Sequence, residues 1–398
     1  MTRRPRGVVW AAWALLAAGA VLLAGCGHLG YYWQAASGHV ALMHAAKPVE
    51  QWRADGRTAK PLEQKLATAQ RIRRFASDEL ALPDNASYTR YADLGRPAAV
   101  WNVVAAPPYS LALKTWCFPV AGCVGYRGYY DLEAARAQAQ GLRGTGLEAA
   151  VYPVPAYSTL GWLNWAGGDP LLSTFIGYPE GELARIIFHE LAHQVLYVSG
   201  DMVFNESYAT AVERLGGARW LDTQAGAGAR AEYAAFDDRR RQMRQLMLQT
   251  RQALAQVYES PAAKAGDWAA VEAGKQAAMA DFRARYADLR AQWTGPRQGA
   301  WDAWVAAANN ATFGAQAAYD ELVPAFEQLF AQQGHDWPAF HAEARRIAAL
   351  PTPEARRQAL LAEAAGSLSA PSAAPLPPHD PHDNNPKLKE ETGVRDSL

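Results

Sequence analysis

The chain has 398 residues, half of them apolar, with 39 Lys and Arg against 39 Asp and Glu. This is the composition of a folded globular protein and excludes a chain disordered throughout. A formal charge of zero, with no basic stripe and no interleaving of aromatic and basic residues, argues against a nucleic-acid surface.

Arg3, Arg4 and Arg6 precede an apolar run from Val8 to Leu23 that ends in Leu23-Ala24-Gly25-Cys26. A basic start, a short apolar stretch and small residues before a cut define a secretory signal over 1–25. The run is shorter than the roughly 20 apolar residues that a membrane-spanning helix needs. Cysteine after Leu-Ala-Gly resembles the bacterial lipobox, which makes Cys26 the lipidated mature N-terminus. Several acyl chains on one residue would anchor the protein firmly to a bacterial membrane. Gly27 and His28 offer no retention aspartate, so the expected site is the outer membrane, facing the periplasm. Residues 26–60 read as the lipidated N-terminus and its tether, with Gly30 to Ala46 helical or extended. In that oxidising compartment Cys117 and Cys123, with five residues between them including Pro119 and Gly122, are expected to form a disulfide. No further thiolates stand nearby, so they make no second zinc site.

Leu62, Leu66, Ile72 and Phe75 recur at helical spacing over Pro61 to Leu80. Val100 to Ala105 and Leu111 to Trp116 are expected to pair as strands, with Pro107-Pro108 at the bend. Leu132 to Leu142 reads as a helix ending near Gly144. Glu148 to Val154 reads as an edge strand, because Pro153 forgoes a ladder hydrogen bond. Beyond the motif described next, Ala229 to Glu259 and Trp268 to Trp293 read as a long helical hairpin that projects from the core or covers a cleft. Arg239-Arg240-Arg241 is expected on a solvated face. Asn309 to Phe330 and Trp337 to Leu350 are apolar enough to pack as helices. Pro, Ala, Ser and then charged residues from Gly366 to Leu398 read as disordered, so His379 and His382 hold no preformed site. Most of the 14 Trp are expected in the core.

The chemistry concentrates in His189-Glu190-Leu191-Ala192-His193. Histidines four apart on a helix lie about 40° apart around its axis, so both rings leave one face at the spacing of two zinc ligands. Glu190 lies between them, able to reach a metal-bound water: the arrangement of a zinc hydrolase. The helix opens at Pro179-Glu180 and stops at Ser199-Gly200. A second helix from about Phe204 to Leu215, ending at Gly216-Gly217, returns Glu206 level with the imidazoles as the third ligand. Thr210 and Glu213, four and seven residues further, are the candidates to orient the ligands.

Phe188 to Gln194 and Phe204-Asn205-Glu206-Ser207-Tyr208-Ala209-Thr210 resemble a bacterial lipoprotein family of zinc aminopeptidases. So do Ala156 to Trp162 with Asp169-Pro170, and Gly122 to Tyr129. The resemblance covers roughly Gly30 to Ala349, and Asn205 to Arg214 is similar to the glutamate helix of gluzincin peptidases. It implies Zn²⁺ on His189, His193 and Glu206, with Glu190 as general base. It also implies an α+β fold: a zincin-like core over 61–220, with a small antiparallel or mixed sheet beside the metal helix. A largely helical part over 221–365, including the long hairpin, and a tail over 366–398 would follow. The edge strand would lie beside the metal helix, where substrate backbone could pair with it.

The expected reaction is hydrolysis of a peptide or protein substrate by a zinc-activated water, with Glu190 taking its proton and passing it to the leaving amine. Tyr157, Tyr126, Tyr129 and Tyr319 are the candidate phenols for the oxyanion. The Gly-x-Met-Glu-Asn segment with which well-studied gluzincin aminopeptidases hold a substrate amine is absent. Of Asp169, Glu180 and Glu182, Asp169 is the candidate for that task, against its simpler reading as an Asp-Pro turn. Two alternatives stay open: an endopeptidase of envelope quality control, and a non-catalytic envelope binding or assembly lipoprotein on the same fold. Intact Glu190 argues against the second.

Overall fold

The computed structural model describes residues 30–118, 122–156, 158–161, 164–294, 299, 301–316 and 321–366. The signal segment, Cys26, Tyr157, Tyr319 and the tail from 367 onward lie outside the described residues. The architecture is α+β, with helices around small sheets.

Helix α1 (30–45) is folded onto the body rather than left as a free tether. The Arg127 guanidinium sits 3.9 Å over the Tyr31 ring, and the Gln34 side chain bonds Gly128 O and Tyr130 N. Strand β1 (Lys47–Pro48) pairs antiparallel with β2 (Arg90–Ala92), which pairs parallel with β8 (Leu171–Leu172). Between β1 and β2 lie α2 (Val49–Ala54) and α3 (Lys60–Leu80). Pro61 suits the first turn of α3, and Leu66, Ala69, Ile72, Ala76 and Leu80 bury one stripe at helical spacing.

The sheet beside the site is centred on β3 (Val100–Ala106), buried at every residue. It pairs antiparallel with β6 (Arg127–Tyr129) and with β7 (Glu148–Val154), which leaves β7 at the edge. The expected second strand at 111–116 does not pair with β3, save for Lys114 N reaching Ala105 O at 2.8 Å. Asn310 takes the Pro107 and Pro108 carbonyls and Lys275 the Pro108 carbonyl, which holds the bend on the helical half. Only Trp116 continues into a strand, β4 (Trp116–Phe118), paired with β5 (Gly122–Val124) and bridged by the Cys117–Cys123 disulfide. Helix α4 (Leu132–Gly144), capped by Asp131, covers one face of the β3–β7 pair with Ala135, Ala139 and Leu142.

Helices α5 (Glu180–Val195) and α6 (Met202–Thr223) form the centre. The expected stop of α6 at Gly216-Gly217 is overturned, since the helix runs on to bury Trp220 and Leu221. Those glycines serve close approach: a Cβ on Gly216 would stand 2.6 Å from Leu80 Cδ1, and one on Gly217 2.8 Å from Arg185 Cγ. The hairpin is α7 (Ala227–Tyr258), a short α8 (Pro261–Lys264) and α9 (Trp268–Gln292), with its own core of Met243, Leu246, Leu254, Met279 and Phe282. Arg240 does not lie on a solvated face: it is ion-paired to Glu182 and Asp237, whereas Arg241 is 65 % exposed. After α10 (Asp302–Ala307) and α11 (Asn310–Gln316), helices α12 (Val323–Gln332), α13 (Trp337–Ala348) and α14 (Pro353–Gly366) return to the main core beside α3 and α6.

His341 on α13 ties this return together. Its Nε2 donates to Leu80 O at 2.9 Å, and its Nδ1 accepts from the Tyr208 hydroxyl at 2.7 Å. Burial lowers the imidazole to about 4, below its ordinary 6.5. The neutral ring therefore contributes stability that is present above pH 6.5 and lost as pH falls toward 4. Between pH 6.5 and 5 the loss from this group should be roughly 2 kcal/mol. Urea unfolding at the two pH values should show that slope in the wild type and a shallower one in His341→Gln. Equal slopes would remove His341 as its source.

Candidate metal centre

Acidic Glu180 and Glu182 suit the first turn of α5, and Leu183, Ile187, Phe188 and Leu191 bury its inner side. His189 and His193, one turn apart, leave the face turned to α6. The helix ends at Val195, Leu196 turns extended, and Gly200 takes the left-handed conformation at φ 81°. Asn205 then fixes the turn, its Oδ1 accepting from Val198 N at 2.7 Å and its Nδ2 donating to Val198 O at 2.8 Å. Asp201 caps α6 by accepting from Phe204 N and is held by Arg356 at 2.7 Å, a buried ion pair. On the outside, Gly122 of the disulfide-bridged hairpin lies so close that a Cβ would stand 2.5 Å from Gly200 N.

This turn returns Glu206 to the two histidines. Nε2 of His189 and Nε2 of His193 lie 3.2 Å apart, and the Glu206 oxygens are 3.3 Å from the first and 3.8 Å from the second. Tetrahedral ligands about 2.1 Å from a zinc ion stand about 3.4 Å from one another, so the observed triangle fits one ion. His189, His193 and Glu206 are the group of three potential ligands that converges among the described residues.

The electrostatics also fit a cation. Burial alone would depress the His189 imidazole, but the Glu206 and Glu213 carboxylates beside it push it well above its usual value. Burial lowers His193 to about 4. Against burial, the His193 and His189 rings hold Glu206 below the ordinary carboxylate range. Two buried carboxylates on one imidazole thus call for positive charge between them, from a proton or a metal. Burial raises Glu190 to about 7, opposed by His189 and reinforced by the Glu206 charge, which sets it near the pKa of an effective base at neutral pH.

Of the two residues expected to orient the ligands, Glu213 stands beside one: its Oε2 lies 3.1 Å from His189 Nδ1, a charge contact without hydrogen-bond alignment, and its other oxygen binds Arg185. Thr210 is buried in the same wall and bonds neither imidazole, while His193 Nδ1 has no partner among the described residues. Tyr126 packs against the β3–α11 cluster, and its hydroxyl, raised by burial, is raised further by the Glu206 and Glu190 charges. Tyr129 does not reach the site: its hydroxyl donates to Gln138 and its ring belongs to the sheet–α4 core. Asp169 is 1 % exposed, with its oxygens taken by Thr159 N, Ser158 Oγ and Gln194 Nε2, so it clamps a loop and is not open to a substrate amine.

The sequence reading missed Tyr152 and Tyr197, both sensitive to the Glu206 charge, and Gln194. Tyr197 lies beyond the end of α5 and its ring meets the His193 imidazole edge-on at 6.2 Å, a contact made by the extended turn that helical spacing does not foretell. Gln194 joins Asn85, Ser87, Asn164 and Asp169 into the wall beside the metal helix. The cleft that results measures about 1330 Å³ and is lined by β7 to Ala156, by Glu182, Ile186, His189 and Glu190 of α5, and by Met243 and Met247 of α7.

A family model described as "Putative aminopeptidase" matches residues 30–361. No curated protein and no solved structure matches the chain.

The geometry makes Asn205 the residue that sets the return of α6. Asn205→Ala leaves the Val198 N–H unpaired, while the Val198 carbonyl keeps the Asp201 N–H at 3.2 Å, so the cost is about 1–3 kcal/mol for the one group left unsatisfied. Chemical denaturation of the metal-free protein should show that loss. A stability unchanged from wild type would mean the turn is held without it.

Proposed function

The chain belongs to the aminopeptidase family whose model spans residues 30–361, and on that premise we propose that it is a zinc-dependent peptidase with a zincin-like core. The reading rests on one observation: three ligand atoms of His189, His193 and Glu206 converge beside Glu190 at a cleft bordered by the edge strand β7. Bound there, zinc would supply a Lewis acid that brings the pKa of a water toward neutrality and polarises a carbonyl. Glu190 in its ionised form takes the proton of the attacking water and delivers it to the leaving amine. Glu213 holds His189 by Nδ1, leaving Nε2 for the metal. Tyr126, kept protonated by burial near Glu206, is the phenol at hand to donate to the oxyanion. The outer edge of β7 offers backbone groups to an extended substrate.

Attachment to the bacterial envelope through a lipidated Cys26, facing the periplasm at the outer membrane, completes the reading. Helix α1 starts four residues beyond that cysteine with Tyr32 and Trp33 exposed, as suits chain emerging at a membrane surface. One observation favours a second reading, an endopeptidase. Among the described residues lining the cleft the carboxylates are Glu182, Glu190 and Glu213; Glu182 and Glu213 are ion-paired to arginine, and Glu190 is the base. None is left over for a substrate ammonium, which needs a desolvated partner.

Elemental analysis of the mature chain with Cys26 replaced should find one zinc per molecule, and His189→Ala, His193→Ala or Glu206→Ala should strip it. Glu190→Gln should keep the metal and lose most of the hydrolysis. Full zinc in the three ligand variants would sink the assignment. For an aminopeptidase, acetylating the substrate amine should lower kcat/KM by about a hundredfold or more; equal rates, or cuts deep within a long peptide, identify the endopeptidase. Palmitate labelling should mark the wild type and not Cys26→Ser, and a label retained in that variant would refute the anchor.

A further inference from the structure

The ion pair that orients His189 continues into the helical hairpin. Arg185, 3 % exposed on α5, binds Glu213 on one side. On the other, its Nη1 donates to the Tyr233 hydroxyl at 3.1 Å and lies 3.6 Å from Asp237 Oδ1, both on α7. Arg240, one turn further along α7, closes the ring: Nη1 donates to Glu182 Oε2 at 2.9 Å, and Nη2 bonds Asp237 and, at 3.1 Å, the Tyr233 hydroxyl. The charged side chains of this ring are 3–19 % exposed, so they are held more firmly than a surface pair. Backbone approaches closely as well, for a Cβ on Gly181 would stand 2.5 Å from the Tyr233 ring.

The far end of the hairpin is also fixed. The Tyr258 hydroxyl, at the end of α7, donates to Asn310 Oδ1 at 2.7 Å, and Asn310 N donates to Glu148 Oε2 at 2.7 Å at the start of β7. Lys275 of α9 binds that same carboxylate. A helix pinned at both ends sets the place of every group between them.

We propose that Asp237 and Arg240 of the hairpin are positioning residues for His189, acting through Arg185 and Glu213. The hairpin is then part of the metal centre's support. Asp237 and Tyr233 hold the guanidinium, the guanidinium holds Glu213, and the Glu213 charge 3.1 Å from Nδ1 of the imidazole keeps Nε2 turned to His193 and Glu206. Partners of this kind are worth about 10–100-fold in metal affinity when they touch a ligand directly, and less when they act through another residue. The proposal rests on the reading that the triad binds zinc.

The test is zinc affinity of the full mature chain, by competition with a chromogenic chelator, alongside unfolding of the metal-free protein. Glu213→Gln should weaken zinc by about 10–100-fold. Asp237→Asn and Arg240→Gln should weaken it by at least about threefold per folded molecule, a smaller share of the same effect. Asp237→Asn should add nothing in the Glu213→Gln background, because the path is already cut. A merely structural role would lower the unfolding midpoint of the metal-free chain and leave zinc affinity alone. Tyr233→Phe, which removes one hydroxyl shared by Arg185 and Arg240, serves the same comparison if Asp237→Asn fails to fold. Wild-type affinity in the hairpin variants, or an equal loss with and without Glu213, overturns the proposal while the zinc reading stands. A wild type that binds no zinc ends both.

Discussion

Two helices joined by six residues can pack antiparallel in several registers, differing by about 1.5 Å for each residue of slip. Asn205 chooses one, since its amide binds both the N–H and the carbonyl of Val198 and fits only when α6 begins at that point of the turn. The cap from Asp201, itself gripped by Arg356, sets the first turn of the helix, and Gly122 presses on the turn from outside. From that register follows the level of Glu206 against His189 and His193, and seven residues on the level of Glu213 against Nδ1 of His189. Gly216 and Gly217 keep the same packing beyond the site, where a methyl would meet Leu80 or Arg185.

Charge is the second constraint. Glu190, Glu206 and Glu213 crowd two imidazoles in a place with little water, and each carboxylate finds a different balance. Arg185 and His189 outweigh burial at Glu213 and bring it to about 2; at Glu190 burial wins and the group sits near 7. One helical pair therefore holds one carboxylate ionised and another near neutrality. The difference traces to Arg185, which Glu190 does not contact.

Much of this could be read from the chain. The convergence of His189, His193 and Glu206 was legible because spacing on a helix is a short-range property, and the disulfide because its cysteines are close in sequence. Pro61 to Leu80 was legible from periodicity, the hairpin helices from long runs broken at Ser260-Pro261 and Gly266-Asp267, and β7 as an edge from Pro153. The losses occurred where long-range contacts decide. Residues 111–115 have the composition of a strand, yet Asn310 and Lys275 claim the carbonyls at the bend. Gly216-Gly217 has the look of a helix end, and close packing against α3 and α5 explains it instead. Arg240 belongs to a run of three arginines, and only the tertiary fold reveals which of them meets Glu182. Tyr152 comes to line the cleft through the pairing of β7 with β3, which no local pattern encodes.

The helices after the hairpin give the site an order of assembly. Arg356 grips Asp201 across 155 residues, and His341 reaches Leu80 across 261. A ribosome would thus have released His189 to His193 and the returning helix long before the groups that clamp them existed. Contacts of such separation are slow to form, because a long loop must close before any of them is rewarded. The turn between α5 and α6 would be among the last parts to settle, so the convergence of His189, His193 and Glu206 would come late in folding.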